Sequence, residues 1–363
     1  MNELAKILKE KIKQESCISI ATYMSEALGN PKYGYYKTAE PFGKDGDFVT
    51  APEISQMFGE MIAAFALQSW LDMGKPKDFM LVELGPGRGT LMADILKTMT
   101  VLPEFEEAVS IHAIETSQQL IDQQGKKWKG YSPTWHKDLV SLPKKPAIFI
   151  GNEFFDALPI HQIEKQDGEW SERCIGYDEE KDVFFFSNRP LKDDVLNNIP
   201  SDLIDADDGA IFEFSTASMA YMETITKHIM ECGGVALVID YGYSNYEYGD
   251  TFQAIKNHKY SDVLKSPGEA DLTAHVNFQD LKCIAEKEGA KSFGPLTQKA
   301  FLENIGIVER AGILYRHATD EQKIDIEFSL KRLISEDEMG ALFKVLAIAN
   351  PNLEHLATFK EGD

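Results

Sequence analysis

The sequence predicts an α/β protein built on a doubly wound parallel sheet. Short apolar runs alternate with amphipathic segments between residues 79 and 151. The first run, Phe79–Leu84, is followed by glycine at alternate positions, Gly85, Gly87 and Gly89, and then by a helical pattern. Strands that alternate with helices form parallel sheets with right-handed crossovers, so these observations predict the fold class.

Composition and charge narrow the possible functions. The chain has 363 residues and 43% hydrophobic residues, enough for a large α/β domain with insertions. Its formal charge of −22 argues against nucleic acid as the main partner, because phosphate binding needs clustered Lys and Arg. Four separated cysteines and scattered histidines predict free thiols and no metal site.

The N-terminal residues show no targeting pattern. Acidic residues Glu3, Glu10 and Glu15 interrupt the bases, and no continuous apolar segment follows. No run of about 18 apolar residues predicts a membrane span. These features lead to the expectation of a prokaryotic cytoplasmic protein without membrane insertion.

The elements before the first strand predict a helical cap. Apolar residues recur at helical spacing over residues 2–28, until Gly29, Asn30 and Pro31 break the pattern. A loop rich in Gly and Asp covers residues 41–52, and one amphipathic helix is expected from Glu53 to about Gly74. We therefore expect a cap with a lid loop over residues 1–76.

The main domain is expected over residues 77–363. Strands are predicted at 79–84, 109–115 and 147–151, and helices at 91–98 and 118–128. Residues 160–187 predict an inserted β-hairpin region. A strand at 210–214, a helix at 218–230 and a strand at 235–239 are expected to return the chain to the sheet.

The last third of the sequence predicts further insertions and a closing strand. A hairpin is expected around residues 251–259, and helices from 278 to 333. Insertions thus cover about 160–190 and 245–335. The final apolar run, 341–348, predicts a closing strand that lies antiparallel at the sheet edge.

The glycine turn predicts a cofactor site. Glycine adopts backbone angles closed to other residues, and a helix N-terminus presents N–H groups to a ligand. A dinucleotide-binding turn has the spacing G-x-G-x-x-G, whereas Thr90 occupies the position of its third glycine here. The pattern E-x-G-x-G-x-G resembles the first motif of enzymes that bind S-adenosylmethionine (SAM). An NAD-dependent oxidoreductase is the less favoured interpretation.

Acidic residues at the predicted strand ends suit this cofactor. SAM carries an amine, a ribose diol and an adenine edge that need hydrogen-bond acceptors. Glu83 ends the first strand and is predicted to accept from the amine. Glu115 ends the second and is predicted to bind the ribose hydroxyls. Asp138 is equally compatible with contact to the adenine edge and with a capping role in a turn.

The end of the strand at 147–151 carries candidate catalytic residues. Asn152 and Glu153 are predicted to present the methyl acceptor, because a carboxylate at a strand end can hold a cationic group. Phe155 is expected to be core and Asp156 to cap a helix. In the lid loop, Gly46 is predicted to contact the cofactor and Asp47 to assist catalysis.

Thr50 has two compatible interpretations. It can contact the cofactor as part of the lid, and it can cap the helix whose first turn contains Pro52 and Glu53.

Five phrases of the sequence occur in the same order in one known family. They cover residues 46–60, 82–91, 152–160, 239–242 and 270–278. The chain resembles the MidA-like family of class I SAM-dependent methyltransferases, from about residue 18 to 351. That family includes the mitochondrial protein arginine methyltransferase that assists complex I assembly. Asn152 departs from the mitochondrial members, which have His at that position.

The resemblance implies a Rossmann-like class I methyltransferase fold with SAM as cofactor. It also implies symmetric dimethylation of arginine on a protein such as a complex I core subunit. A guanidinium is charged at any physiological pH, so Glu153, with Asp47 or Glu53, is the candidate to orient it and accept its proton. A non-catalytic assembly factor that binds SAM is the alternative.

Overall fold

The computed structural model describes residues 2–38, 50–191, 195, 200, 203, 205–256 and 258–359. The chain divides into two compact units. We call Val49–Phe154, Tyr221–Gly242 and Leu281–Asp363 the sheet unit, and Met1–Phe48, Phe155–Ala220 and Tyr243–Asp280 the insertion unit. This division differs from the expected boundary at residue 76, because the helices after residue 49 belong to the sheet unit.

The described helices are numbered in chain order. They are α1 (Glu3–Glu15), α2 (Ile20–Gly29), α3 (Tyr35–Thr38), α4 (Ala51–Ile54), α5 (Gln56–Asp72), α6 (Thr90–Met99), α7 (Pro103–Ala108), α8 (Gln118–Lys127), α9 (Thr216–Cys232), α10 (Phe278–Lys287), α11 (Gln298–Ile305), α12 (Ile307–His317), α13 (Asp320–Ile334) and α14 (Met339–Leu342). None of these helices is both long and apolar enough to cross a bilayer.

The described strands are numbered in the same way. They are β1 (Ile18–Ser19), β2 (Phe79–Leu84), β3 (Val109–Ile114), β4 (Thr134–His136), β5 (Ala147–Asn152), β6 (His161–Gln166), β7 (Glu169–Asp178), β8 (Val183–Pro190), β9 (Ile211–Phe214), β10 (Gly234–Tyr243), β11 (Gln253–Lys256), β12 (Lys259–Ser261), β13 (Asp271–Thr273), β14 (Val276–Asn277), β15 (Lys291–Thr297) and β16 (Phe343–Ala349).

The sheet unit contains the predicted α/β sheet. Its strand order is β15-β16-β10-β5-β2-β3-β4, and the strands from β10 to β4 are parallel. All six residues of β2 are buried, as expected for a parallel strand covered on both faces. The predicted fold class is confirmed.

The closing strand differs from the prediction in its position. β16 is antiparallel to β10, as predicted, but β15 lies outside it and forms the edge of the sheet. The sequence did not reveal β15 because its residues include Gly294 and Pro295 and none is fully buried. An interrupted, half-buried strand has neither a continuous apolar run nor a clear alternation.

The helix expected from Glu53 is two helices. Ser55 has an extended backbone with φ −159°, and its hydroxyl accepts from the Met57 N–H, so α5 begins anew after it. The buried face of α5 then packs in the main core. Trp70 of α5 contacts the Phe105 ring with centroids 5.6 Å apart, and Phe79 contacts the same ring at 5.1 Å.

The insertion unit has its own antiparallel sheet. The expected helical region at 2–28 is divided into α1 and α2 by β1, which pairs with β7. The strand order is β1-β7-β6-β9, with β8 on β7. The strand expected at 210–214 therefore does not return to the main sheet, because β9 pairs with β6 through the register His161↔Phe214. Three further strands form a small sheet of order β12-β11-β13.

Candidate functional site

The glycine turn joins β2 to α6 as predicted. Gly85, Gly87 and Gly89 have φ values of 56°, 52° and 73°, in the left-handed region that favours glycine. Gly89 is the N-cap of α6. The turn therefore places main-chain groups at a helix N-terminus, where anionic and polar ligands bind.

Aromatic side chains fill the space beside two of these glycines. A Cβ atom at Gly85 would lie 2.8 Å from the Phe154 ring, and one at Gly89 would lie 2.9 Å from Trp128 Nε1. The Trp128 indole donates to the Gly89 carbonyl at 2.9 Å, and Gln124 Nε2 donates to the Gly87 carbonyl at 2.7 Å. Thus α8 and the residue after it hold the turn from one side.

Sequence reasoning missed Gln124 and Trp128. Gln124 is fully buried, and Trp135 Nε1 donates to its side-chain oxygen at 2.7 Å. A glutamine on the apolar face of an amphipathic helix was the available indication, since buried polar side chains are normally hydrogen-bonded.

Glu83 is a buried carboxyl with unused hydrogen-bonding capacity. It is 4% exposed, and within the described part of the chain its Oε2 atom has no hydrogen-bond partner. Burial raises the pKa of Glu83 to about 8, against smaller opposing effects of the Met92 backbone N–H and of Lys127. A buried acceptor of this kind is energetically costly unless a ligand satisfies it.

A second such acceptor lies on the neighbouring strand. β5 is paired in parallel with β2, and Asn152 is its last residue. The buried Oδ1 atom of Asn152 likewise has no partner among the described residues. Open α/β sheets bind ligands at the carboxyl ends of their strands. The buried Glu83 Oε2 atom and the glycine turn therefore fit a cofactor that carries an ammonium group.

Glu115 was predicted to be the last residue of its strand and lies one residue beyond the end of β3. Its carboxylate is hydrogen-bonded. Oε1 accepts from the backbone N–H groups of Thr116 and Ser117, both at 2.7 Å. Oε2 accepts from Gln124 Nε2 at 3.3 Å. These bonds orient the carboxylate beside the glycine turn, and its contact with ribose hydroxyls stays a prediction.

Asp138 has the capping role that the sequence left open. It precedes a short 3₁₀ helix, Leu139–Ser141, and its side chain accepts from the Ser141 N–H at 3.0 Å. Its contact with the adenine edge stays a prediction.

Glu153 joins the end of β5 to the start of α4. Its backbone has φ 49°, which is unusual for a residue with a side chain. Its Oε1 atom accepts from the Ala51 N–H at 3.0 Å and from Asn152 Nδ2 at 3.2 Å. Backbone strain of this kind persists where the surroundings hold it and is frequent in active sites.

Asp240 is the buried residue that holds this strained turn. Its Oδ2 atom accepts from the Phe154 N–H at 3.1 Å, and its Oδ1 atom accepts from the Tyr241 N–H at 3.0 Å. Asp240 is fully buried at 0% exposure. Sequence reasoning gave it no role, although an Asp in an otherwise apolar strand was an available indication.

The two residues beyond Phe154 were interpreted as structural. Phe155 is buried, so its core assignment is confirmed. No described helix begins directly after Asp156, and its capping role stays a prediction. It lies in a turn, and its backbone carbonyl accepts from the Ala274 N–H at 3.0 Å.

Glu53 and Thr90 connect α4 to the glycine turn. The Thr90 hydroxyl donates to Glu53 Oε1 at 2.5 Å and accepts from Lys127 Nζ at 2.7 Å. Arg88 forms an ion pair with Glu53 at 3.9 Å. Thr90, at the position where a dinucleotide-binding turn has its third glycine, therefore bonds to side chains of α4 and α8.

Thr50 is at the N-cap position of α4, as expected, but its side chain makes no capping hydrogen bond. Its predicted contact with the cofactor stays a prediction. Gly46 and Asp47 lie outside the described residues. Across the described part of the chain, no group of three or more His, Cys, Asp or Glu side chains is placed to hold a metal ion.

A parallel sheet with a glycine turn and buried acceptors at its carboxyl edge defines a Rossmann-like cofactor-binding protein. Residues 61–296 match the model of a family described as "Putative S-adenosyl-L-methionine-dependent methyltransferase". This is more than half of the chain, so the protein belongs to that family. It is a methyltransferase with SAM as its cofactor, and the alternative of an NAD-dependent oxidoreductase is wrong.

Named relatives extend over nearly the whole chain. The protein arginine methyltransferase NDUFAF7 homolog of Drosophila melanogaster is 35% identical, over 95% of this chain and 84% of that protein. Human NDUFAF7, also named a protein arginine methyltransferase, is 34% identical over 94% of this chain and 82% of its own length. Both are named as mitochondrial, so the expectation of a prokaryotic cytoplasmic protein is wrong.

Solved structures show the same fold. A Burkholderia thailandensis protein bound to S-adenosyl-homocysteine superposes with a TM-score of 0.82 at 30% identity, over 96% of this chain and 92% of that one. A native structure from the same organism gives a TM-score of 0.84 at 29% identity, over 99% and 95% of the two chains.

Proposed function

We propose that this protein transfers a methyl group from SAM to an arginine side chain of a protein substrate. The names of the curated relatives support arginine as the acceptor. The observation that carries the proposal is the pair formed by the Glu153 carboxylate and the orphaned Asn152 Oδ1 at the end of β5. A guanidinium has five N–H donors and no acceptor, so adjacent carboxylate and amide oxygens suit it.

The cofactor-binding residues form a second, separate set. We assign Glu83 to the ammonium of SAM, the turn from Gly85 to Gly89 to its carboxylate side, Glu115 to its ribose and Asp138 to its adenine edge. When bound, SAM supplies a methyl group on a positively charged sulfur. Glu83 and the main chain of the turn then orient the methyl donor for an in-line displacement. Correct orientation supplies most of the catalysis in such a reaction.

Glu153 has the proton-handling role in this proposal. The arginine guanidinium is protonated in water, and its proton must leave as the methyl carbon forms its bond to nitrogen and its bond to sulfur breaks. Glu153 orients the guanidinium and accepts that proton, while Asn152 Oδ1 accepts a second N–H. Asp47 or Glu53 supplies the second carboxylate. We assign symmetric dimethylarginine as the product and a core subunit of respiratory complex I as the substrate.

The test is amino-acid analysis after incubation of the full chain with tritium-labelled SAM and complex I subunits. Label is expected in symmetric dimethylarginine. Glu153→Gln should lower kcat by at least about 100-fold, with the Kd for SAM unchanged. Glu107→Gln, an exposed glutamate of α7, is the matched control. Label in another residue, or full activity of Glu153→Gln, would contradict the proposal. SAM binding without any label transfer would favour the non-catalytic assembly role.

A further inference from the structure

The glycine turn and Glu153 follow neighbouring strands of the sheet unit. β2 and β5 are paired in parallel, with Leu84 opposite Gly151. The glycine turn begins directly after Leu84, and Glu153 lies two residues after Gly151. Paired strands lie about 4.8 Å apart. The turn assigned to SAM and the carboxylate assigned to arginine therefore begin at adjacent positions on one edge of the sheet.

The short helix α4 is hydrogen-bonded to both of these places. Its first residue, Ala51, donates its N–H to Glu153 Oε1 at 3.0 Å. Its third residue, Glu53, accepts from the Thr90 hydroxyl at 2.5 Å. The Glu53 N–H donates to the Thr50 carbonyl at 2.9 Å, which closes this segment into a helical turn. A continuous series of bonds thus leads from the glycine turn through α4 to Glu153.

The partners of the Thr90 hydroxyl fix the direction of its hydrogen bonds. Lys127 Nζ lies 2.7 Å from Thr90 Oγ1, on the side of α8. An ammonium group can only donate, and an ionised carboxylate can only accept. The hydroxyl therefore accepts from Lys127 and donates its single proton to Glu53. Hydrogen bonds arranged in a chain of this kind strengthen one another.

The Thr90 side chain serves other elements and does not cap its own helix. Gly89 is the N-cap of α6, and Thr90 is the first residue of that helix. A hydroxyl stabilises a helix start from the N-cap position, one residue earlier. The described hydrogen bonds of the Thr90 hydroxyl lead to α4 and α8. Its contribution is therefore the connection between these elements and the glycine turn.

We infer that Thr90 is a positioning residue, which transmits occupancy of the glycine turn through Glu53 and α4 to Glu153. A ligand that contacts the turn restricts its motion, and the helix bonded to the turn is restricted with it. Displacement of a reacting group by about 1 Å can lower a rate about 100-fold. The inference rests on the proposed function, because it names a residue that positions the proposed catalytic carboxylate.

Hydrogen exchange of the Ala51 amide tests this coupling in the full chain. Exchange is followed by mass spectrometry with electron-transfer fragmentation, at a SAM concentration that saturates each variant. SAM should slow the exchange at least about tenfold in the wild type, since the bond to Glu153 opens less often. Thr90→Val keeps the side-chain shape and removes the hydroxyl, so SAM should then slow it less than about twofold. Thr90→Ser keeps the hydroxyl and should restore the wild-type slowing.

A second variant breaks the same connection from α4. Glu53→Ala removes the acceptor and should abolish the slowing by itself, whether or not Thr90→Val folds. Added to Glu53→Ala, Thr90→Val should cause no further change in Ala51 exchange. Thr98→Val is the matched control, because Thr98 is half-buried on the same helix and its hydroxyl donates to the Asp94 carbonyl at 2.8 Å. It should retain the slowing to within about twofold.

Several outcomes would overturn the inference. SAM could leave Ala51 exchange unchanged in the wild type, or slow it equally in the wild type and in Thr90→Val. Additive effects of Thr90→Val and Glu53→Ala would show that Thr90 does not act through Glu53. Equal losses of slowing in Thr98→Val and Thr90→Val would show a general effect on α6.

The coupling and the proposed function are decided by different measurements. Ala51 exchange requires SAM binding and no methyl transfer. Formation of methylarginine by the wild-type chain decides the proposed function. Where both hold, Thr90→Val should lower kcat at saturating SAM at least about tenfold. Thr90→Ser should keep kcat within about threefold of the wild-type value.

Discussion

The indole N–H of Trp128 donates to the carbonyl oxygen of Gly89 at 2.9 Å, in a contact buried from solvent. The same ring occupies the space that a side chain at Gly89 would need. The third glycine of the turn is therefore required by the packing of Trp128 as well as by its own φ of 73°. This contact links the conformation of the glycine turn to the stability of α8.

Gly89→Ala is expected to weaken SAM binding and to destabilise the protein. The left-handed backbone costs a residue with a side chain about 1–2 kcal/mol, and the overlap with Trp128 adds to that. Calorimetry should show at least about a tenfold rise in the Kd for SAM, and urea denaturation a loss of about 2–4 kcal/mol.

Gly74→Ala is the matched control for that variant. Gly74 has φ 81° and nothing within 4 Å of an added Cβ, so the substitution carries the backbone cost alone. It should destabilise the protein by about 1 kcal/mol and leave SAM binding unchanged. Equal effects of the two variants on SAM binding would contradict the role of the Trp128 contact.

SAM affinity is expected to rise with pH up to about 8. The pKa of Glu83 is about 8, so its carboxyl is mainly neutral at pH 7. The ammonium of SAM favours the ionised form, so binding below the pKa requires loss of the proton. Affinity should therefore rise by up to about tenfold per pH unit below pH 8 and stop rising near pH 8, where the amine of SAM begins to lose its own proton. Titration calorimetry between pH 6 and 9 measures this dependence.

Glu83→Gln should remove the dependence, and Glu115→Gln should retain it at lower affinity. The same raised pKa lowers the free energy of unfolding as pH increases from 4.5 to about 8. Over this range the carboxyl ionises in the unfolded state and stays mainly neutral in the native state. Glu83→Gln should therefore gain stability relative to the wild type across that window. If the SAM affinity of Glu83→Gln still rises with pH, the assignment of Glu83 to the ammonium of SAM is refuted.

His112 is expected to contribute to acid lability. Burial, together with the neighbouring His136 and Lys145, lowers the pKa of His112 to about 4. Between pH 6.5 and 4 the unfolded imidazole binds a proton that the native one does not, so this contribution to stability falls as pH falls. Between pH 7 and pH 4.5 the free energy of unfolding should fall in both proteins. The fall in His112→Gln should be smaller than that of the wild type by about 1–3 kcal/mol. His317→Gln, at an exposed position, is the control and should match the wild type.

Asp240→Asn is expected to lower kcat more than SAM affinity. The Asp240 carboxylate accepts from the Phe154 and Tyr241 N–H groups, and an amide can present only one acceptor oxygen to them. The turn that carries Glu153 should loosen, with a stability loss of about 1–3 kcal/mol. Steady-state kinetics and urea denaturation check this, with Asp78→Asn at an exposed position as control. A kcat equal to the wild-type value would show that Asp240 does not position the catalytic turn.

Local patterns predicted several parts of the site. The bounds of β2, the left-handed glycines and the strand-end positions of Glu83 and Glu115 follow from apolar runs and turn residues close together in the chain. β15 and the pairing partner of β9 could not be predicted in this way. Their places depend on β16 and β6, whose residues are distant in sequence.

The sequence by itself determined the α/β class, the glycine turn and the family, because each depends on residue types at fixed short spacings. Only the tertiary structure decided which side chains hold that turn and the end of β5. Trp128 reaches Gly89 across 39 residues, and Asp240 reaches Phe154 across 86. Contacts over such separations are set by the register of paired strands and by packing between elements, and no short-range pattern records them.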